Sequence, residues 1–128
     1  MLKTLNPATV APPFSAYSHA VEIPPGARML YVSGQLGVAP DGSVPADFAG
    51  QADQAFRNVL AILEAAGMGA RDLVRVNTYL TDSTDIAAYR DVRDRYVAGH
   101  QAASTMIVVQ ALAQPRFRIE VEVVAAQA

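Results

Sequence analysis

Hydrophobic and polar positions along this chain change period several times, and each change marks an element. From Tyr17 to Ile23, the residues Tyr17, His19, Val21 and Ile23 alternate with Ser18, Ala20 and Glu22, the period of a strand with two unlike faces. Pro24, Pro25 and Gly26 then force a turn. A second strand follows from Arg28 to Val38, with Met29, Tyr31, Ser33 and Gln35 on one face and Leu30, Val32 and Gly34 on the other. The two runs read as a hairpin. After a turn at Pro40-Asp41-Gly42 and an N-cap at Asp47, the residues Ala52, Ala55, Phe56, Val59, Leu60, Leu63 and Ala66 recur at helical spacing. This amphipathic helix stops at Gly67. Leu73 to Leu80 alternates again as a third strand, and Ser83 or Thr84 caps a second helix that carries Ile86, Tyr89, Val92, Tyr96 and Val97 on one face and ends at Gly99. Thr105 to Val109 is β-branched and apolar, a buried strand. Phe117 to Ala125 sets Phe117, Ile119, Val121 and Val123 against Arg118, Glu120 and Glu122.

The order ββαβαββ predicts an α+β fold in a single domain, 1–128, with one mixed sheet and two helices on one of its faces. The opposite face holds Arg118, Glu120 and Glu122 beside apolar residues. It reads as a surface that meets another subunit. Composition points the same way: 17% of residues are charged, against roughly 25% in a typical soluble domain. The net charge of −2 and the absence of any Lys/Arg cluster argue against a nucleic-acid or anionic-membrane partner. There is no Cys, which removes disulfides, thiolate nucleophiles and Cys-bound zinc. Neither an apolar leader nor a run of membrane-spanning length occurs, so a cytoplasmic location is expected.

The common catalytic motifs are missing: no Gly-rich phosphate loop, no HExxH, no nucleophile elbow. His19 and His100 lie too far apart for a local metal motif, and His100 reads as a solvated residue at a helix end. Glu120 and Glu122 have two readings. Either they are solvated or paired with Arg118, or one of them lines an intersubunit cleft and activates water. Gly34 inside a strand marks either a bulge alone or a backbone that a ligand approaches closely.

Several segments together resemble one family. Ser15-Ala16-Tyr17-Ser18-His19-Ala20, Tyr31-Val32-Ser33-Gly34-Gln35-Leu36-Gly37, Gln51-Ala52 through Asn58-Val59, Leu63-Glu64-Ala65-Ala66-Gly67, Val76-Asn77-Thr78-Tyr79-Leu80-Thr81-Asp82 and Ile119-Glu120-Val121-Glu122 stand in the order of the Rid proteins. These are reactive intermediate deaminases, also called YjgF-like and formerly L-PSP endoribonucleases. The resemblance implies a chorismate-mutase-like fold assembled as a homotrimeric barrel, with clefts between subunits. It further implies hydrolysis of unstable imines and enamines such as 2-aminoacrylate, a small-molecule ligand, and no cofactor or metal. By the same resemblance Tyr17 and Glu120 match the cleft tyrosine and the water-positioning glutamate, Ser33 and Gly34 match the ligand-facing strand, and Ser104, Thr105 and Met106 fall in the substrate-binding segment.

One departure stands out. Deaminating members carry an arginine in a Pro-Ala-Arg-Ser or Pro-Ala-Arg-Thr context that grips the substrate carboxylate, whereas this chain reads Gln101-Ala102-Ala103-Ser104-Thr105-Met106 and places Ser104 there. A serine hydroxyl cannot reproduce the charged fork of a guanidinium. The expectation is therefore a hydrolase of a neutral or differently anchored imine, enamine or related carbonyl compound rather than of 2-aminoacrylate, with Arg90, Arg116 or Arg118 as replacement charges. A non-catalytic metabolite-binding or scaffold trimer is the alternative. RNA cleavage, suggested by the older family name, finds no basic stripe.

Overall fold

The computed structural model describes residues 1–97 and 99–128. Its elements are β1 (Lys3–Leu5), β2 (Ala20–Glu22), β3 (Arg28–Leu36), α1 (Phe48–Ala65), β4 (Leu73–Leu80), α2 (Ile86–Val97), β5 (Ala103–Val108) and β6 (Ile119–Gln127). The main sheet has the order β3-β6-β4-β5. Its β3–β6 and β6–β4 pairs are antiparallel and β4–β5 is parallel, so the sheet is mixed as expected.

The expected hairpin does not form. Strand β2 pairs instead with β1, from Lys3 opposite Glu22 to Leu5 opposite Ala20, in a separate two-stranded sheet. The connecting turn explains this: Ala27 N donates to Pro24 O at 3.3 Å, and only Gly26 has positive φ, +77°. That is the pattern of a type II turn, whose twist splays the flanking strands instead of pairing them. Strand β3 is left to pair with β6, and the opening segment, read as loop from its prolines, supplies β1.

Helix α1 buries Phe48, Gln51, Ala52, Ala55, Phe56, Val59 and Leu63. It ends at Gly67, whose φ of +72° suits a residue without a β-carbon. Asp47 occupies the N-cap position, but its side chain makes no capping bond. At the second helix, the cap is Asp82 rather than Ser83 or Thr84. Its carboxylate accepts from Thr84 N at 2.9 Å and Thr84 Oγ1 at 2.7 Å, and these donors hold its pKa below the usual carboxylate range. One 3₁₀ turn, Ser83–Asp85, then leads into α2.

Both helices cover the sheet face formed by Val76, Thr78 and Leu80 of β4 and Ile119, Val121, Val123 and Ala125 of β6, all buried. Phe56 stacks between Tyr89 and Tyr96, with ring centroids 6.2 and 5.9 Å away. Buried Gln51 has its amide satisfied, with Nε2 donating to Pro45 O and Arg116 O and Oε1 accepting from Arg118 N. It thereby fixes the chain leading into β6. Tyr89 and Thr78 share a hydroxyl–hydroxyl bond of 2.8 Å in the core, and burial raises the Tyr89 phenol pKa.

Removing the Tyr89 hydroxyl leaves Thr78 unpaired in a dry environment. The Tyr89→Phe variant should lose about 1–2 kcal/mol of stability, seen as a lower denaturant midpoint at unchanged slope.

Candidate functional site

Two groups of candidate residues form on this scaffold. The first gathers where the segment before β2 docks on β5. Ser18 N donates to Ala102 O at 3.0 Å and Ser18 bridges Ala103, which lays the chain from Phe14 to Ser18 along the start of β5. Phe14 N donates to Tyr17 Oη at 3.1 Å, holding the ring. A cavity of about 260 Å³ results, lined by Tyr17, Ser104, Thr105 and Met106 together with Phe14, Ser15, Tyr89, Arg90 and Arg93. Ser104 and Met106 pair in register with Val76 and Thr78 and so lie on the helix side of the sheet. Thr105 lies on the other face, where its hydroxyl accepts from Arg75 Nη2 at 2.7 Å.

The second group sits on the sheet face without helices. The β3–β6 register breaks between Val32 and Gln35, so Ser33 and Gly34 together oppose Glu122. This is a bulge. A β-carbon at Gly34 would also collide with the Glu120 side chain, its Cδ only 2.7 Å away. The bulge expected at Gly34 therefore forms, and the group that approaches its backbone closely is the chain's own carboxylate. Glu122 is tied down, accepting from Tyr79 Oη at 2.6 Å and Asn77 Nδ2 at 3.3 Å, and this bond raises the Tyr79 pKa. Among the described residues Glu120 receives no comparable hydrogen bond. It is half-buried, acceptor-only and available for a proton or a water.

The two groups are not joined within one chain. Strand β4 separates β6 from β5, a spacing of about 10 Å, and Ser104 faces away from Glu120. Nor does Arg118 pair with the glutamates. Its Nη2 lies 2.9 Å from Asp85 Oδ2 and its guanidinium covers the Phe48 ring. Arg116 is held over Phe117, with Nε donating to Gln114 Oε1 at 3.0 Å. Of the three arginines considered from sequence, Arg90 alone lines the cavity. His100 is half-buried rather than fully solvated, its Nε2 2.6 Å from Leu73 O. His19 Nε2 lies 2.7 Å from Ala11 O. No group of three His, Cys, Asp or Glu side chains is arranged for a metal among the described residues.

Arg93 is the residue that sequence reasoning missed. It stands four positions after Tyr89, so the spacing that buries Tyr89 buries it as well. A charged residue on an apolar stripe was the available signal.

The model of the endoribonuclease L-PSP family matches residues 8–127 of the chain. The 2-iminobutanoate/2-iminopropanoate deaminase of Escherichia coli strain K12 is 33% identical over 129 residues, covering 98% of each protein. Among solved structures, the Rid-family protein YyfB from Yersinia pestis superposes with a TM-score of 0.87 at 33% identity, covering 98% of both chains. E. coli TdcF with bound serine gives a TM-score of 0.74 at 29% identity, covering 96% of this chain and 94% of that one.

The close fit at Gly34 makes a specific prediction. In Gly34→Ala the new methyl group meets a flexible side chain, not backbone, so the melting temperature should stay within about 4 °C of wild type. The carboxylate, however, must move by about an ångström, and any turnover that Glu120 supports should fall on the order of 100-fold.

Proposed function

We propose, for a chain that belongs to the Rid family of reactive intermediate deaminases, that it hydrolyses a small imine or enamine to the carbonyl compound and ammonia. The observation that carries this reading is the Glu120 carboxylate, lodged over Gly34 and spared the hydrogen bonds that hold Glu122. In the proposed reaction Glu120 positions a water and takes its proton as the oxygen adds to the C=N carbon. An enamine reaches this step as its imine tautomer, a proton having moved from nitrogen to the β-carbon. The proton from water passes to the nitrogen to give a carbinolamine, whose hydroxyl proton then moves through Glu120 to the same nitrogen as the C–N bond breaks, so that ammonia leaves as the C=O bond forms. Glu120 ends as it began. The chemistry needs no metal or redox cofactor, and Tyr17 shapes the cleft.

The site is completed between copies in this reading. Ser33, Gly34 and Glu120 of one subunit face the Tyr17–Ser104 cavity of the next, in a homotrimer whose sheets line its interior. Three apolar side chains on the helix-free face support such a contact: Tyr31 is 77% exposed, Ile107 46% and Met29 42%. With Ser104 in place of the strand arginine, the substrate is an imine anchored differently from a strand-arginine ligand. A trimer that binds a metabolite without turning it over is the competing reading, and the position of Ser104 favours it.

Imines generated in situ decide between them through ammonia release above the spontaneous rate. Wild type should accelerate hydrolysis of at least one imine, and Glu120→Gln should lower that rate on the order of 100-fold or more at unchanged oligomeric mass. An undiminished rate in the variant contradicts the mechanism. A wild type that binds a small molecule and accelerates nothing supports the binding reading.

A further inference from the structure

Arg93 is 4% exposed, yet its side chain is a cation with five N–H donors and no acceptor. A buried charge is costly unless it is paired and hydrogen-bonded. Its partners are few. Nε donates to Asp94 Oδ1 at 3.0 Å, and Nη1 reaches Ser15 Oγ at 3.5 Å. The same Asp94 oxygen is 2.9 Å from Nη2 but lies off its N–H directions, so among the described residues Nη2 has no hydrogen bond. Asp94 is itself 44% exposed, so water screens its charge. Beneath, the Tyr89 ring lies 5.6 Å from the Arg93 Cζ.

These features surround the cavity that holds Tyr17 and Ser104. Arg93 lines it from the wall, Arg90 stands exposed beside it, and no Asp or Glu is among its lining residues. A planar fork with an unpaired Nη2, in the wall of a small cavity without anions, matches a carboxylate. We infer that this cavity binds the carboxylate of a small organic acid, with Arg93 as the anchor.

The remaining wall sets the size and nature of the rest of the ligand. The volume of about 260 Å³ on this chain, just under the roughly 300–1,000 Å³ of sites for drug-sized molecules, holds a carboxylate and a short chain. Tyr17 and Met106 offer apolar surface for a short chain, and the hydroxyls of Ser15 and Ser104 offer hydrogen bonds. Arg93 thus supplies from helix α2 the charge that Ser104 does not bring on β5. The inference rests on the proposed function only in making the bound acid a substrate; on that reading 2-imino acids, disfavoured by Ser104 alone, have an anchor again.

Calorimetric titration of the full chain with 2-oxobutanoate, and with 2-oxobutanamide as its neutral counterpart, tests the site without any turnover. Wild type should bind the acid and not the amide. Arg93→Gln should weaken acid binding by about 10- to 100-fold. Arg93→Lys keeps the charge without the fork and should fall in between. Circular dichroism melts establish that each variant is folded; if Arg93→Gln is not, Arg93→Lys and the acid–amide comparison carry the test. Equal binding of acid and amide, binding of neither, or wild-type affinity in a folded Arg93 variant overturns the inference. A protein that binds the acid through Arg93 but hydrolyses no imine would refute the proposed function and leave this site standing.

Discussion

Strand β6 is paired along both edges, and its two-residue period fixes most of what the molecule can do. One set of its side chains, Ile119, Val121 and Val123, closes the core under the helices, and the alternate set, Glu120 and Glu122, stands on the face the helices leave open. A slip of one residue would exchange the two sets and bury both carboxylates. The bulge at Ser33 and Gly34 belongs to the same constraint. It lets β3 follow β6 while leaving space over Gly34, and Glu120 occupies that space. Core packing and candidate chemistry are therefore consequences of one register.

The two glutamates illustrate how neighbours of the same type come to differ. Glu122 lies between Asn77 and Tyr79 and is held by both, while Glu120, two residues earlier on the same face, is positioned by shape and keeps its acceptors free. A similar contrast separates the arginines. Arg118 and Arg93 each have a carboxylate at 2.9 Å and an aromatic ring beside them, but both Asp85 oxygens accept from Arg118 Nη2, whereas among the described residues the more deeply buried Arg93 keeps an unpaired Nη2 in the wall of a cavity. In both contrasts the less satisfied member is the one suited to an external partner, because a donor or acceptor already bonded inside the protein has little left to give a ligand.

Period and punctuation made much of this legible from sequence. The alternation of β4 and β6, the helical spacing of α1 and its stop at Gly67 required only local information, and so did Glu120 and Gly34 as positions of interest, whereas Tyr17 entered through the family resemblance. The misread features depended on more distant partners. Strand β2 alternates as a hairpin arm would, but a Pro-Pro-Gly turn that splays its flanks released it to pair with Lys3–Leu5. Arg118 alternates with Glu120 and Glu122 in sequence, but it precedes the paired strand and swings to Asp85. Arg93 was concealed by its type: helical spacing placed it inside, and a guanidinium is assumed to stay outside unless something holds it.

In the proposed trimer a reactive site is assembled from Glu120 of one copy and the Arg93 cavity of another. Mixing, unfolding and refolding Glu120→Gln with Arg93→Gln in equal amounts tests it directly, since each variant spoils a different half. If the halves meet between subunits, the mixture should recover about a quarter of the wild-type rate, because random assembly pairs two intact halves at one interface in four. A mixture that stays at the mean of the two separate variants would contradict the claim.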